Sequence, residues 1–301
     1  MILRPAGRRT QRSQRAQGKT GAAVLAAFAF LFGSAQTQSP VFSTKVEVVR
    51  VDALVTEGGR PVLGLGPADF EVLDNGVPQA IEFVSYDQIP LNVVLAFDMS
   101  DSVAGERLEH LRSAGSAVLA GLKRNDQSAL VTFNNQVMLG APLTSDLEPL
   151  RKAIANVVGE GETSLVDGVY AGITVGESDA GRALLMVFSD GLDTLSWLSS
   201  AAVLDTVKRS DVVVYAVSVG KVKAEFLRDL TSFSGGRLFE LEKTANLSAT
   251  FLSILEEFRQ RYLVSYTPRG VSRDGWHRLE VRLKGKRATI KARPGYLAGP
   301  G

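Results

Sequence analysis

A strand-length apolar run, Leu91-Asn92-Val93-Val94-Leu95-Ala96-Phe97, stops abruptly at Asp98-Met99-Ser100-Asp101-Ser102. A continuous run of this kind fits a strand buried on both faces, as in a parallel sheet covered by helices. Asp98, Ser100 and Ser102 then fall at the carboxyl end of that strand, where open α/β sheets present their ligands. One carboxylate and two hydroxyls at alternate positions are hard oxygen donors, suited to a small hard cation such as Mg²⁺.

The surrounding pattern supports such a sheet. Buried-strand runs at 183–188 and 212–219, with shorter ones at 128–133, 136–139 and 237–239, alternate with helical periodicity. The helices are expected at 107–123, 147–157, 165–175, 199–209, 223–233 and 247–261. Residues 91–260 therefore read as a doubly wound, mostly parallel, six-stranded α/β sheet with helices on both faces, the strand at 136–139 lying at an edge. The flanks differ. In residues 44–88, Val49, Val51, Ala53 and Val55 alternate with Arg50, Asp52 and Leu54, as in a half-buried strand. Asn75-Gly76 marks a hairpin, because both turn residues must take positive φ. Residues 261–297 return to β pattern at 262–267, 276–283 and 288–292. Each flank is too short for its own core, so the two are expected to pack together as one β-sandwich-like domain into which the α/β domain is inserted.

Residues 1–35 carry six basic side chains (Arg4, Arg8, Arg9, Arg12, Arg15, Lys19) and no acidic one, then an apolar stretch ending in the small residues Gly33-Ser34-Ala35. This reads as a secretory signal peptide, with 36–43 as a flexible linker; an uncleaved anchor is the alternative. Removing 1–35 takes the formal net charge from +2 to −4, six positive charges fewer, so no nucleic-acid partner is implied. The mature chain then has no stable transmembrane segment, and the expected address is periplasmic or extracellular. There is no cysteine, which excludes disulfides, thiolate metal sites and a lipid-modified cysteine anchor.

Two later segments complete the opening motif. Thr163 lies in the loop Gly159-Glu160-Gly161-Glu162-Thr163-Ser164 before a helix, and Asp190 follows a buried strand just as Asp98 does. If the two strands are neighbours where the winding reverses, all three segments converge on one crevice. Here the chain resembles a von Willebrand factor type A domain, whose metal-ion-dependent adhesion site has the pattern Asp-x-Ser-x-Ser, a distant Thr and a later Asp. The match is Asp98, Ser100, Ser102, Thr163 and Asp190. The resemblance implies that the serines and, in one state, the threonine touch a metal. It implies that the aspartates hold the metal directly or through water, and that one position stays open for an acidic group of a protein partner. Mg²⁺ is the expected ion, with Mn²⁺ or Ca²⁺ as alternatives. Asp101 occupies a spacer that is often Gly in the family, adding a carboxylate beside the site. With its flanking segments, including Arg261-Tyr262-Leu263-Val264-Ser265-Tyr266, the layout also looks like the secreted type A proteins abundant in Acidobacteria.

Competing readings are plain. Asp98 and Asp190 can be helix caps with no metal. Leu195 and Trp197 can form an apolar rim for a partner, but Trp197 is expected to pack on its own helix. His110 and His277 have no neighbouring ligand cluster in the sequence, and no Ser/His/Asp set presents a nucleophilic triad. A binding module is expected rather than an enzyme, ahead of an envelope scaffold with a structural metal and of a metal-assisted hydrolase. Intact-mass measurement of exported protein should find residues 1–35 missing; a species retaining Phe28 to Phe32 would mean an anchor instead.

Overall fold

The computed structural model describes residues 48–220, 224–285 and 287–299; the leader and linker expected at 1–43 lie outside the described residues. The N-terminal β segment comprises β1 (Val49–Glu57), β2 (Arg60–Pro61), β3 (Phe70–Asp74), β4 (Val77–Gln79) and β5 (Ile81–Tyr86). The α/β domain follows as β6 (Leu91–Asp98), α1 (Glu106–Gly121), β7 (Gln127–Phe133), β8 (Val137–Thr144), α2 (Glu148–Asn156) and α3 (Leu165–Gly176). It continues with β9 (Arg182–Ser189), α4 (Ser200–Arg209), β10 (Val213–Val219), α5 (Glu225–Ser234), β11 (Arg237–Leu241) and α6 (Leu247–Arg259). The chain then returns through β12 (Arg261–Tyr266), β13 (Gly275–Leu283), β14 (Thr289–Lys291) and β15 (Gly295–Ala298).

The six-stranded sheet has the order β11-β10-β9-β6-β7-β8. All its pairings are parallel except the edge pair β7/β8. Every residue of β6, β9 and β10 is buried, as continuous apolar runs require of strands covered on both faces. One face packs on α1, α2 and α6 through Leu95, Phe97, Leu111, Phe251 and Phe258. The other packs on α3, α4 and α5 through Val94, Val131, Val169, Leu185 and Leu227. Helix α3 lies close to the sheet at Gly168, where an added Cβ would meet the Phe133 ring at 2.4 Å. Winding runs from β6 outward through β7 to one edge and then from β9 outward to the other. The reversal falls between β6 and β9.

The flanking segments interleave in a β-sandwich. One sheet has the order β14-β1-β12-β5, with β2 on β1; the other is β15-β13-β3-β4. Val51, Phe70, Val72, Tyr262, Val264 and Leu279 share its core. The hairpin at Asn75-Gly76 has φ of 48° and 81°, as its two positive-φ positions demand. Asp74, fully buried, joins both sheets: its Oδ2 accepts from the Tyr266 and Tyr296 hydroxyls at 2.9 Å each, and its Oδ1 meets His277 Nδ1 at 2.7 Å. Burial, reinforced by the Asp74 charge, pushes both tyrosine phenols up.

Some boundaries shift for tertiary reasons. The closing helix expected to reach 261 stops at Arg259, because Arg261 pairs with Leu54 as the first residue of β12. The strand expected at 136–139 runs to Thr144, extended by antiparallel pairing with β7. Helix α5 begins at Glu225; its expected start at 223 lies outside the described residues. Strand β1 is more buried than a half-buried strand, because its Asp52 face also packs on the α/β domain. Arg182 Nε donates to Asp52 Oδ1 at 2.9 Å and Nη2 donates to the same oxygen. Arg182 also stacks over the Phe258 ring at 4.9 Å. Beside it Arg261, fully buried, donates to the Asp52 carbonyl, the Gly235 carbonyl and the Tyr215 hydroxyl.

Breaking one member of a buried ion pair leaves a charge without a partner, at a cost of about 3–5 kcal/mol, whereas replacing both by apolar groups costs far less. Asp52→Ala should therefore lower the urea midpoint much more than the double variant Asp52→Leu/Arg182→Met, measured by equilibrium unfolding.

Candidate metal centre

Strand β6 delivers Asp98 to the carboxyl edge of the sheet, and β9, its parallel neighbour, delivers Ser189 and Asp190 beside it. Asp98 is fully buried. Its Oδ1 accepts from the Ser100 backbone N–H at 2.9 Å, which turns the chain back after the strand. The Ser100 and Ser102 hydroxyls then lie 3.1 Å apart. A short 3-10 turn, Asp101–Val103, follows and is anchored by buried Val103.

The Thr163 loop closes over this turn. Glu160 N–H donates to the Met99 carbonyl at 2.7 Å, Asp101 N–H to the Gly161 carbonyl at 3.0 Å, and Gly161 N–H returns to Asp101 Oδ1 at 2.9 Å. Gly161 has φ of 82°, a left-handed conformation that glycine adopts without steric cost. Thr163 is buried, and its loop is held from below by Ser164, whose N–H and hydroxyl both donate to the Asn134 carbonyl. The geometry thus brings Asp98, Ser100, Ser102, Thr163 and Asp190 onto three adjoining loops at the point of winding reversal. Asp101 faces Gly161 and is exposed.

Burial pushes the Asp98 carboxyl above its usual range, and the neighbouring Asp190 charge adds to this; hydrogen bonds from Ser100 and Ser189 oppose it. The Ser189 hydroxyl donates to Asp98 Oδ2 at 2.7 Å and accepts from Gly191 N–H at 3.1 Å, so it fixes both the carboxylate and the third loop. Sequence reasoning passed over Ser189, whose only signal is its place one residue before Asp190. Among the described residues no three His, Cys, Asp or Glu side chains cluster as a metal cage. The constellation has two carboxylates and three hydroxyls instead.

The third loop is tied to the second. Thr194 and Leu195 N–H both donate to the Thr163 carbonyl, and Thr163 N–H donates to Thr194 Oγ1. Asp167, at the start of α3, accepts from Trp197 and Leu198 N–H at 2.9 Å each. Ser196 Oγ accepts from Val166 and Asp167 N–H. Trp197 does not pack on a helix: α4 begins beyond it at Ser200, capped by Ser199, and the indole is 95% exposed. Asp193 accepts from Ser196 Oγ at 2.5 Å.

Asp167→Ala should release this loop. Hydrogen exchange resolved to single residues should speed up at the Trp197 and Leu198 amides, while protection in β9 stays unchanged.

Comparison with known proteins agrees with this architecture. The chain is 27% identical over 155 residues to the horse (Equus caballus) calcium-activated chloride channel regulator 1, covering 48% of this chain and 16% of that protein. It is 23% identical over 167 residues to the mouse (Mus musculus) inter-alpha-trypsin inhibitor heavy chain H2, covering 50% of this chain and 18% of that protein. The chain thus spans less than a fifth of the length of either curated relative. Among solved structures, a von Willebrand factor type A protein from Catenulispora acidiphila superposes with a TM-score of 0.53 at 11% identity, over 81% of this chain and 76% of that one. Proximal thread matrix protein 1 from the mussel byssus, with its MIDAS motif occupied by zinc, does so with 0.53 at 17% identity, over 61% and 49%. These likenesses show the fold. The family model for the von Willebrand factor type A domain matches residues 92–252, more than half of the chain, and the protein belongs to that family.

Proposed function

We propose that Asp98, Ser100, Ser102, Thr163 and Asp190 hold one divalent cation, and that through it the protein grips an acidic side chain of a protein partner. The observation that carries this reading is the burial of the Asp98 carboxyl beside a second acid. The carboxylate is fully buried and adjoins Asp190, and among the described residues neither forms an ion pair with Lys, Arg or His. A buried charge without a counterion is costly, and a cation at the crevice supplies one. The donors fit Mg²⁺: all five offer oxygen, and Mg²⁺ keeps several waters beside one or two carboxylates. Bound there, the cation would act as a Lewis acid towards a carboxylate oxygen. Zn²⁺ outranks Mg²⁺ in intrinsic affinity for most sites, so the zinc in the mussel protein's motif is compatible with Mg²⁺ where Mg²⁺ is abundant.

Each residue has a role in this reading. Ser100 and Ser102 approach the metal with their hydroxyls, Asp98 and Asp190 neutralise it directly or through water, and Thr163 completes the set. Ser189 positions Asp98 by donating to its Oδ2. The basic leader and the polar linker behind it support an exported, periplasmic or extracellular protein. The reading is of an adhesion-type binding module and not an enzyme.

Melting curves in chelator and in millimolar Mg²⁺ or Mn²⁺ test it. Metal should stabilise the fold by about 1.4 kcal/mol when its free concentration is roughly tenfold above the dissociation constant. Asp98→Ala should abolish the increment while leaving a folded protein. Ser189→Ala should weaken metal affinity by about tenfold or more, as removal of a residue orienting a ligand does. A wild type indifferent to both ions would leave these residues as loop and helix caps.

A further inference from the structure

One wall of the crevice carries apolar side chains that the fold leaves uncovered. Leu192 (45%), Leu195 (42%), Trp197 (95%) and Leu198 (37%) are all exposed within one stretch of the third loop. Large apolar groups exposed together mark interaction surfaces more often than chance. Their exposure does not come from a loose backbone. Thr163 accepts from Thr194 and Leu195, Asp167 accepts from Trp197 and Leu198, and Ser196 accepts from two amides of α3. A fixed backbone under an exposed tryptophan is a pre-organised contact, which loses little entropy on binding. Tryptophan is also among the side chains enriched at positions that dominate binding energy.

This wall is continuous with the crevice, because the Thr163 carbonyl itself bonds the loop that carries it. The first and second loops carry an acidic wall. Among the described residues Asp101, Glu160 and Glu162 are exposed on them, and Arg107 donates to the Ser102 carbonyl beside them. A ligand with several acids would be repelled on that side.

From this, and resting on the metal-binding reading above, we infer that the partner presents a single carboxylate flanked by an aromatic or aliphatic residue for the Trp197 wall and by Lys or Arg for the Asp101–Glu160–Glu162 wall. The metal fixes the carboxylate, the apolar wall supplies contact area, and the acidic wall selects against acidic tracts. Specificity then comes from the neighbours of the carboxylate, since a metal alone accepts any acid.

The test uses the full chain immobilised in Mg²⁺ against a phage-displayed cyclic peptide library, with clones released by chelator. Released clones should share one Asp or Glu beside Trp, Phe, Leu or Ile, with Lys or Arg nearby. A synthetic peptide of that consensus should bind at least about tenfold more weakly to Trp197→Ala, and binding to that variant should still be abolished by chelator. Glu160→Gln/Glu162→Gln should reduce the basic preference. Released clones that carry an acid but no apolar neighbour, or a peptide that binds Trp197→Ala equally well, would overturn the inference and leave the metal reading standing. An absence of chelator-released clones would overturn the metal reading and this inference with it. Sedimentation of the free protein should show a monomer. A dimer lost on Trp197→Ala would assign the wall to a second copy and overturn the proposal.

Discussion

The arrangement of this protein turns on a carboxylate buried where strand β6 ends. Asp98 has lost its water, its two oxygens are engaged by an amide and a hydroxyl, and another acid stands next to it. Burial raises its proton affinity, and the neighbouring Asp190 charge adds to this. Everything that brings Asp98 there is structural. The sheet must be covered on both faces for β6 to be continuously apolar, and the winding must reverse between β6 and β9 for Asp190 to arrive beside it. Ser189 and the turn at Ser100 then aim the carboxylate. On the proposed reading a cation relieves the charge and turns the cost into affinity.

The crevice stands on a rigid base. At the opposite end of the sheet, where β9 begins, Arg182 is locked between Asp52 and the Phe258 ring, and Arg261 threads from β12 to Tyr215 and Gly235. Tyr215 in turn donates to Glu257 at 2.5 Å, and burial with that neighbouring charge holds its phenol well above the ordinary range. The sandwich is therefore joined to the α/β domain by buried polar contacts rather than by a free linker.

How much of this could be read from residues alone varies with sequence distance. The apolar runs of β6, β9 and β10 and the Asn75-Gly76 turn are local signals, and they announced the sheet and the hairpin. The motif after β6 is local too, and Thr163 and Asp190 joined it through resemblance to a family. Contacts across long separations were silent. Asp74 and His277 lie 203 positions apart, and Asp52 and Arg182 lie 130 apart, so nothing in either neighbourhood marks them as partners. His277, which has no ligand cluster in its sequence neighbourhood, is a buried partner of Asp74 in the sandwich core. Trp197 was misread because an apolar residue near a helix start is expected to pack. Its loop is instead held by main-chain bonds to Asp167 that no side-chain pattern reveals.

The most direct measurement of the central claim is an anomalous difference map from crystals of the protein grown with Mn²⁺, collected near the manganese edge. The account predicts one strong peak at the carboxyl edge of the six-stranded sheet. It should lie within coordination distance of the Ser100 and Ser102 hydroxyls, with Asp98 and Asp190 reaching it directly or through water, and it should be lost in Asp98→Ala. A map with no peak there, or with manganese bound only elsewhere on the molecule, would contradict it.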